Sequence, residues 1–294
     1  MQDQVIPSAN TAADASTPPV LVRRYVGPPG RQVHVTEAEG PGAGLYCLHA
    51  TAYSGRSFAP FMAVMSAHRR VCAVDTPGYG GSDRPGERLD IPGYAREIGA
   101  AIELDAGGPI DLLGYHTGAV MAAELARQRP DLVRRLVLIG VPFFLGAERE
   151  HWRAVLAKKH ALSESLAQFE ERWAFFITDR RDGVSLDRGF ENFVDELRAY
   201  PFGWWAHEAA FTFNAEACFQ RVTQQTLVLN PNNHLSEASR RAAAHIPNVS
   251  LVEFPRLDHA IFDVAPRVLS DAVEAFLARR TDAPAPGGDM MTVS

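Results

Sequence analysis

The sequence predicts an α/β protein: a mostly parallel sheet with helices on both faces and a helical cap inserted between two strands. Short apolar runs of strand character alternate with helical patterns, which is typical of a parallel sheet covered on both sides. One long interval, 143–222, interrupts this alternation because it shows helical patterns without a convincing strand. The two ends of the chain have no periodicity, so the core is expected at 21–142 and 223–279.

The predicted strands are short apolar segments. They cover 33–36, 44–48, 70–74, 110–114, 135–139, 226–229 and 249–254. A helix is predicted after Gly114, with Val120, Met121 and Leu125 on one face and Pro130 beyond its end. The same spacing predicts a final helix over 268–278.

The interval 143–222 is predicted to be a helical cap, with helical patterns at 152–159 and 164–176. It contains all four tryptophans, Trp152, Trp173, Trp204 and Trp205. Most of its aromatic residues are expected to pack the cap onto the sheet. Some are expected to line an apolar pocket over the carboxyl edge of the sheet, where open α/β sheets bind ligands. The segments 1–20 and 280–294, rich in small residues and proline, are predicted to be disordered tails.

Composition excludes several classes of protein. With 46% hydrophobic and 22% charged residues, the chain has the balance of a globular protein, and its net charge of -6 offers no basic surface for nucleic acid. No run approaches the roughly 20 apolar residues of a membrane helix, and the first residues lack a secretory signal. We therefore expect a cytoplasmic protein without a membrane partner. The three cysteines have no paired spacing and are expected to be reduced thiols.

The segment 110–118 reads I-D-L-L-G-Y-H-T-G, a buried strand that runs into a turn and a helix. It resembles the nucleophile elbow, G-x-S-x-G, of the α/β-hydrolase family, in which small flanking residues let a strained turn present one side chain above the sheet. The segments 45–50 and 75–83 resemble the family's strand ending in His-Gly and its D-x-P-G-x-G-x-S loop. The segment 257–259 resembles the site of the catalytic histidine. The resemblance extends over 21–279 and implies the hydrolase fold.

The chain departs from the family at the residues that carry the chemistry. His116 occupies the position of the nucleophilic serine, whereas His259 matches the general base. No carboxylate stands at either position of the family's acid: Asn233 aligns with the usual one, and the other lies within 141–143, which reads Val-Pro-Phe. Asp258 is expected to point away from the neighbouring imidazole. These departures from the family's pattern therefore predict a mechanism without a serine nucleophile.

An oxyanion hole is predicted next to the elbow. The family's glycine after the histidine of the first loop is replaced by Ala50. The backbone N–H of Thr117, together with that of Ala50 or Thr51, is expected to converge on a substrate oxygen. His49, Asn233 and His234 are further candidates for oxyanion or substrate binding.

Four histidines are predicted to meet at the carboxyl edge of the sheet: His49, His116, His234 and His259. An imidazole exchanges a proton near neutral pH, and one such transfer accelerates a reaction roughly 10² to 10⁴-fold. Acting as a nucleophile, holding a water and holding a substrate hydroxyl against His259 all remain open roles for His116. The remaining histidines are expected to be structural or solvated: His34, His68, His151, His160, His207 and His245.

Three classes of function fit these residues. The first is a hydrolase that cleaves an ester, a lactone or a C–C bond of a small apolar carbonyl compound with His116 and His259. The second is a lyase, cyclase, decarboxylase or cofactor-free oxygenase on the same fold, since removal of one proton needs no acid partner for the base. The third is a ligand-binding protein without catalysis, against which the retained His259 argues.

No cofactor is implied by the sequence. Four histidines suit zinc in number, but in the resembled fold the elbow residue and the last-loop histidine face each other across the space a substrate needs. We therefore expect no metal and a small-molecule substrate as the partner, and leave a homodimer open.

Overall fold

The computed structural model describes residues 19–200, 202–279 and 291–292. Its strands form one sheet in the order β1-β2-β4-β3-β5-β6-β7-β8-β9. The strands are β1 (Leu21–Val26), β2 (Val33–Ala38), β3 (Leu45–Leu48), β4 (Val71–Val74), β5 (Ile110–Tyr115), β6 (Val133–Ile139), β7 (Gln225–Pro231), β8 (Val249–Phe254) and β9 (Met291–Thr292). β2 is antiparallel to both β1 and β4, and all other pairs are parallel, so the predicted α/β class is confirmed.

The helices lie on both sides of this sheet. They are α1 (Ala59–Met65), α2 (Ile91–Ala106), α3 (Thr117–Gln128), α4 (Gly146–Leu156), α5 (Glu170–Trp173), α6 (Leu186–Ala199), α7 (Trp204–Thr212), α8 (Ala215–Phe219), α9 (Ser236–His245), α10 (Ile261–Val264) and α11 (Pro266–Leu277). Short 3-10 turns cover Gly55–Phe58 and Leu166–Phe169, and a π-helical turn covers Ala174–Thr178. Within the described ranges, no helix is both long and apolar enough to cross a membrane.

The core consists of two apolar layers, one on each face of the sheet. Neighbouring strand residues alternate between them: Tyr46 and Leu48 face one layer, whereas Leu45 and Cys47 face the other. The first layer packs on α2 and α3, and the second packs on α1 and α11. Because β3, β4 and β5 are buried on both faces, their sequences are apolar runs, interrupted only by Asp111 in β5, and this is why they could be predicted.

The first strand was missed because it lacks an apolar pattern. Arg23 and Arg24 interrupt β1, which lies at the edge of the sheet and is largely exposed on both faces. The strand is held by its ladder with β2 and by Arg24, whose guanidinium bonds Asp105 and Glu37. Backbone hydrogen bonds and ion pairs therefore stabilise β1, which buries little apolar surface.

The helical insertion, 143–222, lies between β6 and β7, and the part of it that the structure describes contains helices α4 to α8 and no strand. The predicted helix at 152–159 is shifted, because α4 begins at Gly146 and ends at Leu156. The pattern at 164–176 corresponds to a 3-10 turn, a single turn of α-helix and the π-helical turn.

The predicted disordered tails lie mostly outside the described residues. An exception is β9, whose Met291 and Thr292 pair in parallel with Val252 and Glu253 of β8. The prediction of a tail without structure is therefore wrong for these two residues. The three cysteines, Cys47, Cys72 and Cys218, are free and buried.

Glycine at position 118 is required by the contact between α3 and the loop after β3. A Cβ there would collide with the carbonyl oxygens of Leu48 and His49, and neither backbone group can move without disturbing the sheet.

We expect Gly118→Ala to lower the free energy of unfolding by about 1–3 kcal/mol, because overpacking against backbone forces the chain apart. Urea unfolding followed by circular dichroism measures the change. Gly86→Ala is the control, since nothing lies within 4 Å of the added methyl, and it should stay within about 0.5 kcal/mol of the wild type. Equal stability of the two variants would contradict the close approach.

Candidate active site

The predicted elbow is present between β5 and α3. His116 joins them with φ 51 and ψ -116, a left-handed conformation that costs a non-glycine residue about 1–3 kcal/mol. Its N–H donates to the Ile139 carbonyl at 3.0 Å, and its carbonyl accepts from Ala119 at 2.8 Å. Gly114 permits the sharp turn, because a Cβ at this position would collide with the Gly118 carbonyl.

The imidazole of His116 lies in a tight, apolar position. Its centroid is 3.9 Å from that of the Tyr115 ring, and a Cβ on Gly140 would come within 2.9 Å of Nε2. Nε2 is buried and has no hydrogen-bond partner among the described residues. Burial, followed by repulsion from positive charge on His259 and His234, holds the pKa of His116 well below its usual value. His116 is therefore neutral at pH 7.

His259 lies across from the elbow, in the loop between β8 and α10. The two ring centroids, of His116 and His259, are 6.2 Å apart and the rings are nearly perpendicular. Burial, helped by His234 and Arg181, lowers the pKa of His259, whereas Asp258 raises it. The Asp258 carboxylate is 3.5 Å from the Arg181 guanidinium. Asp258 is thus engaged by an arginine, in line with the expectation that it does not orient the imidazole.

His234, which follows β7, completes a cluster of three histidines. Its Nδ1 lies 3.3 Å from Nε2 of His259, and its centroid is 6.4 Å from that of His116. The Trp152 indole of α4 packs on it with centroids 4.7 Å apart. The ring remains exposed to solvent on its other side, and its partial burial lowers the pKa of His234.

His49 does not join this cluster. It is buried, its Nε2 accepts the Thr76 N–H at 3.0 Å and its Nδ1 lies 2.9 Å from the Ala50 carbonyl oxygen. Burial lowers the pKa of His49, which keeps the ring neutral in this arrangement. The prediction that four histidines meet is therefore wrong for His49, because both of its nitrogens are used to hold the first loop.

The candidate oxyanion donors belong to two neighbouring segments, the start of α3 and the loop after β3. Thr117 is the first residue of α3, so its N–H has no carbonyl four residues earlier in the helix to accept it. The loop that carries Ala50 and Thr51 approaches the start of α3 closely, as the lack of room for a Cβ on Gly118 shows. The arrangement can present two backbone N–H groups to one substrate oxygen.

Asn233, a candidate for substrate binding, makes its hydrogen bonds within the turn before α9. Its Oδ1 accepts the Leu235 N–H at 2.8 Å, and its own N–H donates to the Ser236 hydroxyl at 2.9 Å, so it shapes the turn before α9. Its Nδ2 is buried without a partner in the described part of the chain. Asn233 aligns with the acid of the family but makes no hydrogen bond to His259, because its acceptor is used locally.

Three contributors to the site are not predicted by the sequence. Gly140 makes room for the His116 ring, and Trp152 packs on His234. His207 of α7, predicted to be solvated, is half-buried, and burial lowers its pKa to about 4. A positive charge on His207 would lower the pKa of His116 further. No sequence signal marks these residues: Gly140 follows β6, and Trp152 and His207 belong to the insertion, whose packing on the sheet the sequence does not show.

Nothing in 19–200, 202–279 and 291–292 forms a group of three or more His, Cys, Asp or Glu side chains placed to hold a metal ion. The expectation of a metal-free mechanism remains an expectation.

Comparison with known proteins agrees with this architecture. A family model described as "alpha/beta hydrolase fold" matches residues 45–159. The crystal structure of E-2-(acetamidomethylene)succinate hydrolase superposes with a TM-score of 0.72 at 22% identity, over 88% of this chain and 100% of that one. This chain has the α/β-hydrolase fold. The enol-lactonase from Burkholderia xenovorans LB400 superposes equally well, with a TM-score of 0.72 at 19% identity, over 87% of this chain and 100% of that one.

Two sequence relatives are named as hydrolases of substituted succinates. The 2-(acetamidomethylene)succinate hydrolase of Mesorhizobium japonicum is 24% identical over 278 residues, 90% of this chain and 98% of that protein. The (E)-2-((N-methylformamido)methylene)succinate hydrolase of Acinetobacter baylyi is 30% identical over 150 residues, 49% of this chain and 54% of that protein.

The buried histidines predict how stability depends on pH. A histidine whose pKa is lowered in the folded state binds its proton more readily when unfolded, so below about pH 6.5 the unfolded state gains protons and stability falls. The pKa is lowered for His49, His116, His160, His207, His234 and His259.

We expect His207→Asn to weaken this loss between about pH 6.5 and pH 4, by at most about 1.4 kcal/mol per pH unit. Urea unfolding at a series of pH values measures the slope. Above pH 7.5 unfolded histidines are also neutral, so the difference between variant and wild type should be constant there. Parallel curves throughout the acid range would contradict the buried, neutral state of His207.

Proposed function

We propose that this protein is a cofactor-independent hydrolase of a small, largely apolar carbonyl compound, an ester, a lactone or a compound cleaved at a C–C bond. His116 and His259 take the place of the serine triad. The observation that carries the proposal is the pair of imidazoles held 6.2 Å apart at the elbow, each with a lowered pKa. This separation suits one water or one carbonyl group between the rings.

Charge decides how the two histidines divide the work. A proton on His116 would leave a cation in an apolar position whose Nε2 has no acceptor, which is costly. A proton on His259 is tolerated better, because the charge of Asp258 favours it and because Nδ1 of His234, while that ring is neutral, can accept a hydrogen bond from Nε2 of His259. We therefore assign removal of a proton from the attacking water to His259 and orientation of that water to neutral His116.

The accessible ring nitrogen of His116 is Nδ1, since Nε2 is buried against Gly140. Nδ1 is close to the backbone, so it projects from the elbow only slightly farther than a serine oxygen would. The backbone N–H of Thr117 and that of Ala50 or Thr51 then stabilise the oxyanion that forms when water adds to the carbonyl carbon. When the oxyanion collapses, the C–O or C–C bond to the leaving group breaks, and the leaving group takes the proton that His259 removed from the water.

The helical insertion is proposed to act as a cap over this site. Trp152 on α4 packs on His234, and Phe144 stacks on Trp152 with centroids 5.7 Å apart. Apolar walls of this kind exclude water and keep the imidazoles neutral. Relatives and structural neighbours named as hydrolases and as an enol-lactonase favour hydrolysis of a small carbonyl compound.

Non-hydrolytic chemistry is the second candidate. Its support is that no carboxylate hydrogen-bonds His259 within the described chain, and a base that removes one proton from a substrate needs none. A lyase, a cyclase, a decarboxylase or a cofactor-free oxygenase would use His259 in this way.

We expect His259→Ala to lower kcat/KM for activated esters by about 10²–10⁴-fold while leaving the urea midpoint close to the wild type, because the ring supplies a base and little core packing. His245→Ala, at the far end of α9, is the matched control. Wild-type turnover in His259→Ala would contradict the assignment of the base.

His116→Ser restores the family's hydroxyl at the elbow. If the native reaction is hydrolysis, this variant should keep or gain activity on simple activated esters, whereas His116→Ala should lose about 10²-fold through poorer orientation of the water. If the native reaction is not hydrolytic, native turnover should collapse in both variants. Equal rates in the wild type and in both variants would show that His116 is structural.

A further inference from the structure

The hydrogen bond between His234 and His259 is the single side-chain hydrogen bond of His259 within the described residues. It joins Nδ1 of His234 to Nε2 of His259 at 3.3 Å, and the ring planes are 38° apart. Two neutral imidazoles make such a bond only if one nitrogen carries a proton and the other offers its lone pair. The contact therefore fixes complementary tautomers on the two rings.

The groups that would normally orient a catalytic histidine are used elsewhere. Asp258 is paired with Arg181, and the amide oxygen of Asn233 accepts the Leu235 N–H. A histidine with no partner would rotate and exchange tautomers freely, and its basicity would depend on solvent alone. In the absence of these partners, His234 is the residue that hydrogen-bonds the ring of His259.

We propose that His234 is a positioning residue that shares one proton with His259 and substitutes for the absent carboxylate. This inference rests on the proposed function insofar as His259 is the base of the reaction. When His259 takes a proton from water, the neutral ring of His234 accepts a hydrogen bond from the resulting imidazolium and stabilises it. When the proton leaves, the exposed side of His234 offers a way to solvent.

The surroundings favour a pair that holds one extra proton and resists a second. The Trp152 indole covers one face of His234 and provides no anion. Around His259 the charged groups are Arg181, which disfavours a cation, and Asp258, which favours one. Once the pair has bound one extra proton, its positive charge disfavours the binding of a second extra proton. The pair is therefore expected to titrate in two separated steps.

His116 lies almost equally far from both rings, 6.4 Å from His234 and 6.2 Å from His259 between centroids. It is nearly perpendicular to each, at 80° and 78°. In this proposal a water held by His116 gives its proton to Nδ1 of His259, the ring nitrogen that does not face His234, while Nε2–H of His259 donates to Nδ1 of His234.

Titration of the histidine rings in the full chain tests the proposal without a substrate. We would record long-range ¹H–¹⁵N spectra of ¹⁵N-histidine-labelled protein from pH 4.5 to 8.5 and assign the rings by single substitutions. In the wild type, His234 and His259 should each show both steps of a coupled titration, separated by more than about one pH unit. Independent single-step curves in the wild type would overturn the proposal.

Two substitutions sharpen this measurement. His234→Phe keeps a ring against Trp152 but removes Nδ1, the nitrogen that contacts His259. His259 should then titrate in one step. Its pKa should be lower than that of the step in which the wild-type pair binds its first extra proton as the pH falls. His234→Asp supplies a carboxylate, so the pKa of His259 should rise above the wild-type value. His245→Asn is the control and should leave both curves as in the wild type. Identical curves of His259 in the wild type and His234→Phe would overturn the proposal.

Kinetics separate this inference from the proposed function. His234→Phe should lower kcat for an activated ester by about 10-fold or more with little change in KM, and His234→Asp should recover activity with a shifted pH profile. If His259→Ala abolishes activity but His234→Phe keeps the wild-type kcat and pH profile, the positioning role is wrong and the proposed function stands. If His259→Ala keeps full activity, the proposed function is wrong, and the coupled titration still decides whether the pair exists.

Discussion

The strained turn at His116 is the constraint on which the site depends. A left-handed residue between β5 and α3 projects one side chain above the carboxyl edge of the sheet, and this is stable only because neighbouring backbone segments come unusually close. Gly114 and Gly118 permit the turn itself, and Gly140 makes room for the ring it presents. Gly140, which directly follows β6, thus leaves the space that the ring of His116 occupies.

Desolvation sets the chemistry that this turn can offer. Burial keeps the imidazoles neutral at pH 7, as the lowered pKa values of His116, His259 and His207 indicate. A neutral imidazole is available as an acceptor at once, but a cation formed on it needs a counterpart. In the proposed mechanism the neighbouring ring of His234 stabilises that cation in place of a carboxylate. The same burial makes the folded state less stable in acid.

The histidine of the loop after β3 has a different role from the histidines of the loops after β7 and β8. His49 uses both nitrogens to hold the loop beside α3, where the backbone N–H groups of the oxyanion hole are expected. His234 and His259 are left to interact with each other and with the elbow. This difference follows from burial. The buried ring of His49 must find hydrogen-bond partners for its nitrogens within the protein, whereas the rings of His234 and His259 have access to solvent and to a substrate.

The sequence by itself determined the architecture and the elbow. Strands buried on both faces must be apolar throughout, and a sharp strand-to-helix turn must have glycine on both sides, so β3, β5 and Gly114 to Gly118 could be recognised without coordinates. Only the tertiary structure decided which rings meet. His234 and His259 are 25 residues apart, Asn233 uses its oxygen within its own turn, and Trp152 and His207 reach the cluster through the insertion. Ring orientation depends on contacts between distant segments, and such contacts leave no periodic trace in the sequence.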